Sequence, residues 1–262
     1  MSTLPDSFLQ SLVAQLDNEN TIGITLAGSF ARGEGGEYSD VDIHQYVRKM
    51  PEKIADSFYL RTMDGYLVSI ALVSLEEKSA SLRDPTRAIW AVPGLCQERI
   101  LLDKDGSIAA LKEAAAKFTW EPLQAEADAF ASWNLASMAE EVHKVLAGLA
   151  QQDGSRAIYA TWGLVDDLAK TILVQQGVLI PTENILIILA QETAGRASEW
   201  TRQFRLACGL DPLPPGQPPF LGHAAAGLRL YYETARLMQA ILQPEDAAVV
   251  SYAMKLIEKA GY

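Results

Sequence analysis

Residues 28–42, Gly-Ser-Phe-Ala-Arg-Gly-Glu-Gly-Gly-Glu-Tyr-Ser-Asp-Val-Asp, constrain this chain more than any other segment. They follow an apolar run at 22–27, Ile-Gly-Ile-Thr-Leu-Ala, whose β-formers predict a short buried strand ending at Gly28. Gly28 allows a tight turn and close approach to a neighbouring group, and Ser29 is placed to cap a short helix. A glycine-rich turn leads to a second strand at 41–47, headed by Asp40 and Asp42. With a side-chain period of two, both carboxylates point to one face while Val41 and Ile43 point to the core.

The chemistry follows from these residue types. Free N–H groups and a hydroxyl at the Gly28-Ser29 turn suit phosphate oxygens, which is half of a nucleotide site. Two neighbouring carboxylates repel each other, and a divalent cation such as Mg²⁺ removes that penalty while also bridging substrate phosphates. The candidate metal ligands and catalytic residues are therefore Asp40 and Asp42, and the candidate nucleotide contacts are Gly28, Ser29, Arg32 and Ser39. Each has a plainer alternative. Asp40 suits a turn, Asp42 an edge strand, Arg32 a solvated turn, and Ser39 a backbone hydrogen bond that shapes the approach to Asp40.

Gly28-Ser29, Arg32-Gly33 and Ser39-Asp40-x-Asp42 resemble the signature of the polymerase-β-like nucleotidyltransferase superfamily, in particular the branch with aminoglycoside and lincosamide nucleotidyltransferases. The resemblance implies transfer of a nucleoside monophosphate, AMP if the donor is ATP, from an NTP to a hydroxyl, with pyrophosphate released. It implies two Mg²⁺ ions at Asp40 and Asp42 and a small-molecule hydroxyl acceptor, an antibiotic among the candidates. A homodimer is a further expectation, since some members of that branch complete their acceptor pocket across one.

The superfamily pattern also expects a third carboxylate on a later strand. The segment 58–73 reads as a hairpin with its turn at Asp64-Gly65, and its register places Ser69 where that acid would stand. Serine is a poor metal ligand and no base. A nucleotide-binding module without turnover, a sensor or antitoxin-like partner, therefore stands as the alternative function. Asp103 is a substitute acid only if it is not consumed by its own Asp-Lys-Asp-Gly turn.

Strands and helices alternate to about residue 118, with helices expected at 74–82, 84–90 and 107–118, the second stopped by Pro93-Gly94 and the third capped by Ser107, and a last strand at 98–102. Helices then run almost without interruption: 123–149, 155–176, 181–193, 221–242 and 245–259, with a proline-rich connector at 211–219. The fold class is α+β, a small mixed sheet with flanking helices over 1–118 followed by an all-α bundle over 119–262. Within the bundle, Glu140, Glu141, His143, Asp166 and Asp167 are acceptor-side candidates, Asp166 sharing a helical face with Tyr159 and Trp162. Core packing is the plainer role for those aromatics, and solvation for the acids.

Composition narrows the partners. A net charge of −11 over 262 residues argues against nucleic acid, whose binding needs clustered Lys and Arg, and suits a cationic acceptor as well as ordinary solubility. Residues 1–17 read as an amphipathic helix, no apolar run is long enough to span a bilayer, and a cytoplasmic protein is expected. Cys96 and Cys208 are far apart, lack a zinc pattern, and read as buried unpaired thiols.

Overall fold

The computed structural model describes residues 3–213, 215–216 and 218–262. The chain divides into two compact units, Met1–Thr119 and Trp120–Tyr262. The first contains α1 (Asp6–Leu16), β1 (Thr21–Ala27), α2 (Gly28–Ala31), β2 (Val41–Val47), β3 (Phe58–Met63), β4 (Tyr66–Val73), α3 (Leu75–Ser81), α4 (Pro85–Gln97), β5 (Arg99–Asp103) and α5 (Ser107–Ala116). Its sheet has the order β3-β4-β2-β1-β5, in which β2 and β4 are parallel and the other neighbours antiparallel.

Alternation along the strands explains the layers. Ile24, Leu26, Val41, Ile43, Val68 and Ile70 bury one face against Phe8, Leu9, Leu12 and Leu16 of α1. The other face carries Asp42, His44 and Tyr46, and around Tyr46 it is closed by Leu95 of α4 and Ile108 and Leu111 of α5. The β3–β4 turn is Asp64-Gly65 with both residues at positive φ, 49° and 83°, as a two-residue hairpin requires.

Three local expectations are corrected. α4 runs through Pro93 to Gln97, because Val92 and Leu95 are buried on either side of the proline and their packing outweighs one lost helical hydrogen bond. Ser107 does not cap α5: Gly106, at φ 78°, is the cap residue, and Asp103 accepts from the N–H groups of Gly106 and Ala109. That arrangement spends Asp103 on the turn. The N-terminal helix begins at Asp6 behind Pro5, and Met1 and Ser2 lie outside the described residues.

The second unit is built on α6 (Gln124–Gln151) and α7 (Gly154–Gln175), joined through Gln152 at φ 55° and capped by Asp153, which accepts from the Arg156 N–H. At their close end, a Cβ on Gly148 would lie 2.8 Å from the Ala157 nitrogen, so only glycine permits that approach. The helices α8 (Leu186–Ala194), α9 (Glu199–Ala207), α10 (Pro219–Leu237) and α11 (Pro244–Lys259) complete it, with 3₁₀ turns at Glu183–Ile185 and Gln239–Ile241 shortening two of the expected helices. α9 was not expected from the sequence. It is fixed by Trp200, whose indole donates to the Thr234 hydroxyl at 2.8 Å, and by Trp200 stacking on Phe204. The connector 211–219 has no helix or strand in its described part before Pro219, which starts α10, and Pro214 and Gln217 lie outside the described residues. No described helix is long and apolar enough to cross a membrane.

Candidate active site

The end of β1, the loop after it and the start of β2 converge. Ala27 pairs with Asp42 across the sheet, and Gly28 turns out of β1 at φ 63°. A Cβ built on Gly28 would fall 1.8 Å from Oδ2 of Asp42, so glycine is required twice, by its conformation and by this contact. α2 starts at Gly28 with Ala27 as its cap residue, which corrects the expected role of Ser29: its side chain is not the cap and makes no hydrogen bond to another described residue. Its hydroxyl is available to a ligand.

Asp42 is half-buried, and its carboxyl is raised above the usual aspartate range. Burial is the main cause; the nearby Asp40 charge adds to it, while a hydrogen bond from Ser69 and the charges of His44 and Arg32 oppose it. The Ser69 hydroxyl donates to Asp42 Oδ1 at 2.7 Å, and the two residues are direct partners in the β2–β4 pairing. The third-carboxylate position is therefore filled by a hydroxyl that binds Asp42.

The flanking loop is internally bonded. Arg32 Nε pairs with Glu34 Oε2 at 2.7 Å, and the Ser39 hydroxyl accepts from the Gly36 N–H at 3.0 Å, the backbone-shaping arrangement. Gly35 is buried against the Phe30 ring, which holds the loop down.

As a cation site, Asp40 and Asp42 offer two carboxylates and no more: among the described residues there is no group of three or more His, Cys, Asp or Glu placed to hold a metal. That donor set fits Mg²⁺, which takes one or two carboxylates and completes its shell with water and substrate phosphates.

Next along the same face lies a cluster that the sequence reading missed. Glu98, at the end of α4, is 4% exposed and accepts from the Thr25 hydroxyl at 2.8 Å, the His44 Nδ1–H at 2.8 Å and the Tyr46 hydroxyl at 2.9 Å. Lys78 of α3 approaches the same carboxylate at 3.9 Å. Burial pushes the Glu98 carboxyl up, but the hydrogen bond and charge of His44, the Lys78 charge and the Thr25 hydroxyl outweigh it and hold it below the usual range.

In the second unit Glu141, Asp166 and Asp167 lie near one another, and the other acceptor-side candidates have partners of their own. Tyr159 and Trp162 are 72% and 66% exposed, which corrects the core role. Asp166 pairs with Lys170, Glu140 and Glu141 share Lys144, and His143 stacks on Tyr252. Asp167 is raised by burial, with the charges of Asp166 and Glu141 adding to it and that of Lys170 opposing. Cys96 is exposed and Cys208 only partly buried, against the expectation that both are buried; both are free.

A Gly-Ser loop converges on paired aspartates over a mixed sheet backed by α1, the arrangement that the nucleotidyltransferase resemblance leads one to expect. Residues 9–104 match the family model described as the nucleotidyltransferase domain. A Methanocaldococcus jannaschii protein named "Putative protein adenylyltransferase" is 29% identical over 111 residues, spanning 40% of this chain and 74% of that protein. The crystal structure of a nucleotidyltransferase-like protein from Exiguobacterium sibiricum 255-15 covers 97% of this chain and 79% of its own at a TM-score of 0.52, a likeness of fold at 12% identity. The matched stretch lies within the N-terminal unit, which is similar to nucleotidyltransferase domains, and these comparisons support nucleotidyl transfer as its chemistry.

Proposed function

We propose that the protein transfers a nucleoside monophosphate, AMP from ATP, to a hydroxyl acceptor, with Asp40 and Asp42 as the catalytic carboxylates. The observation that carries this reading is the seating of Gly28 against Asp42, which brings a phosphate-sized turn and the paired acids to one place. Gly28 and Ser29 bind the phosphates through N–H groups and the free hydroxyl, and Arg32 and Ser39 hold the loop in shape around them. Asp40 and Asp42 are the residues that would hold Mg²⁺, two ions in the fullest form of this reading. The metal would supply charge neutralisation at the phosphates and activation of the attacking hydroxyl. Ser69 keeps Asp42 oriented and resists the rise that burial imposes on its carboxyl.

Two acceptor classes have support. The exposed Tyr159 and Trp162 of α7 suit a cationic small molecule such as an aminoglycoside, which their ring faces can attract. A protein hydroxyl is favoured by the name of the M. jannaschii relative and by exposed apolar side chains beside the site. Leu60 pairs with Ser69, which pairs with Asp42, so 54%-exposed Leu60 stands two strands, about 10 Å, from the carboxylate on the same face. A binding module without turnover remains a second reading, favoured by Ser69 at the third-carboxylate position.

The test is pyrophosphate release from each NTP with Mg²⁺, measured with aminoglycosides, lincosamides and other hydroxylated acceptors, alongside transfer of α-labelled nucleotide to protein. Acceptor-dependent release that disappears in Asp42→Ala supports the transferase. Nucleotide binding with no transfer to any acceptor moves the binding module ahead.

A further inference from the structure

Two lysines of the N-terminal unit lie beside Glu98 and differ in how they are satisfied. Lys112 donates to three backbone carbonyls, those of Leu95, Cys96 and Glu98, at 2.6, 3.1 and 2.5 Å. Lys78 makes no hydrogen bond to another described residue; its ammonium has only the 3.9 Å ion pair with Glu98, at a side-chain exposure of 24%. An ammonium carries three donors, and because no buried side-chain nitrogen among the described residues lacks a partner, those of Lys78 open to solvent where a ligand can take them. Exposed lysine pairs elsewhere in the chain close to 2.6 Å, as Lys170 does on Asp166. Lys78 is held at a distance from its carboxylate because Glu98 is already engaged by Thr25, His44 and Tyr46.

Glu98 attracts the Lys78 ammonium, while the Arg87 guanidinium acts on it with the same sign as its own. Burial, the main cause, and Arg87 lower the Lys78 ammonium below the usual lysine range against the pull of Glu98. An anion placed there would meet unused donors on a cation that shares its counter-charge with other groups.

Position gives that anion its identity. Glu98 joins Lys78 to His44, and His44 lies two residues along β2 from Asp42 on the same face, about 7 Å away. Lys78 lies beyond His44 through Glu98, so a polyphosphate chain running along this face from the paired aspartates is directed towards its ammonium. We propose that Lys78 is the contact for the terminal phosphates of the nucleotide, and for the pyrophosphate that leaves, with Glu98 as the fixed counter-charge beneath it. The inference rests on the nucleotidyl-transfer reading, since it assumes a triphosphate centred at Asp42. A lysine suits the role as a mobile point charge with three rotatable donors.

The experiment is calorimetric titration of the full chain with ATP, AMP and inorganic tripolyphosphate in Mg²⁺ buffer, for wild type and Lys78→Met. The expected result is a loss of about 10- to 100-fold in affinity for ATP and tripolyphosphate in the variant, with AMP changed less than about twofold. In parallel, acetylation of Lys78 in the wild type, followed by mass spectrometry, is expected to slow when tripolyphosphate saturates the protein. This second measurement decides the matter if Lys78→Met does not fold. Undiminished tripolyphosphate binding by a folded Lys78→Met, or acetylation of Lys78 unaffected by bound tripolyphosphate, overturns the assignment while leaving nucleotidyl transfer standing. A wild type that binds neither ATP nor tripolyphosphate overturns both.

Discussion

The Ser69 hydroxyl donates a 2.7 Å hydrogen bond to Oδ1 of Asp42 from the directly paired position on the neighbouring parallel strand. The bond favours the ionised carboxylate against a burial that disfavours it. In Ser69→Ala the Asp42 carboxyl rises further, so protons compete with a cation up to a higher pH. Mn²⁺ titrations across pH are expected to show the acid limb of binding displaced upward in the variant, and an unshifted limb would show that the bond does not stabilise the charge.

Asp42→Asn removes the charge while keeping an oxygen for Ser69. An acid whose folded pKa is raised loses stability as pH climbs from its unfolded value through the folded one, so at neutral pH the ionised Asp42 is a cost to the metal-free fold. Thermal unfolding without metal is expected to show Asp42→Asn at least as stable as wild type. Transfer activity in the same variant is expected to fall on the order of 10²- to 10³-fold or more.

Glu98 behaves in the opposite sense. Its folded pKa lies below the unfolded value, so its contribution to stability is present above the ordinary glutamate range and is lost as pH falls through the folded pKa. Glu98→Gln leaves Lys78 without its counter-charge and changes the hydrogen bonds to Thr25, His44 and Tyr46, costing about 3 kcal/mol at neutral pH. Denaturant titrations of both proteins are expected to converge as the pH falls below the ordinary glutamate range and through the lowered folded pKa.

Gly28→Ala meets Asp42 Oδ2 at 1.8 Å and must hold φ near 63°. The backbone strain alone costs about 1–2 kcal/mol. Circular dichroism is expected to show a folded but less stable protein, and ATP titration a loss of nucleotide affinity. Wild-type affinity in this variant would mean that the loop does not bind phosphates.

The parts of the fold that local chemistry determines were legible in the sequence. The period-two pattern and the Asp-Gly turn set β2, β3 and β4 and the hairpin register that puts Ser69 where a third acid is expected, because a slip of one residue would turn every apolar side chain to the wrong face. What depends on distant contacts was not legible. Glu98 reads as the polar start of a strand, and nothing in sequence spacing joins it to Thr25, His44, Tyr46 and Lys78, which meet it only across the folded sheet. Pro93 signals a helix stop that burial of Val92 and Leu95 overrides. Ser198, which accepts from the Thr201 N–H, was a readable start signal for α9, a short helix otherwise set by Trp200 and Phe204 packing. The exposed Tyr159 and Trp162 show that helical spacing of aromatics does not by itself indicate which face is covered.

The contact between Gly28 and Asp42 makes the loop and the carboxylate a single mechanical part. Any shift of the Gly28 backbone towards β2 collides with Asp42, and any change of the Asp42 rotamer is limited by the backbone in front of it. A ligand that pulls on the loop therefore also reports the state of the aspartate, so occupancy of one half of the site is felt in the other without a hinge, a lid or a rearrangement of the sheet.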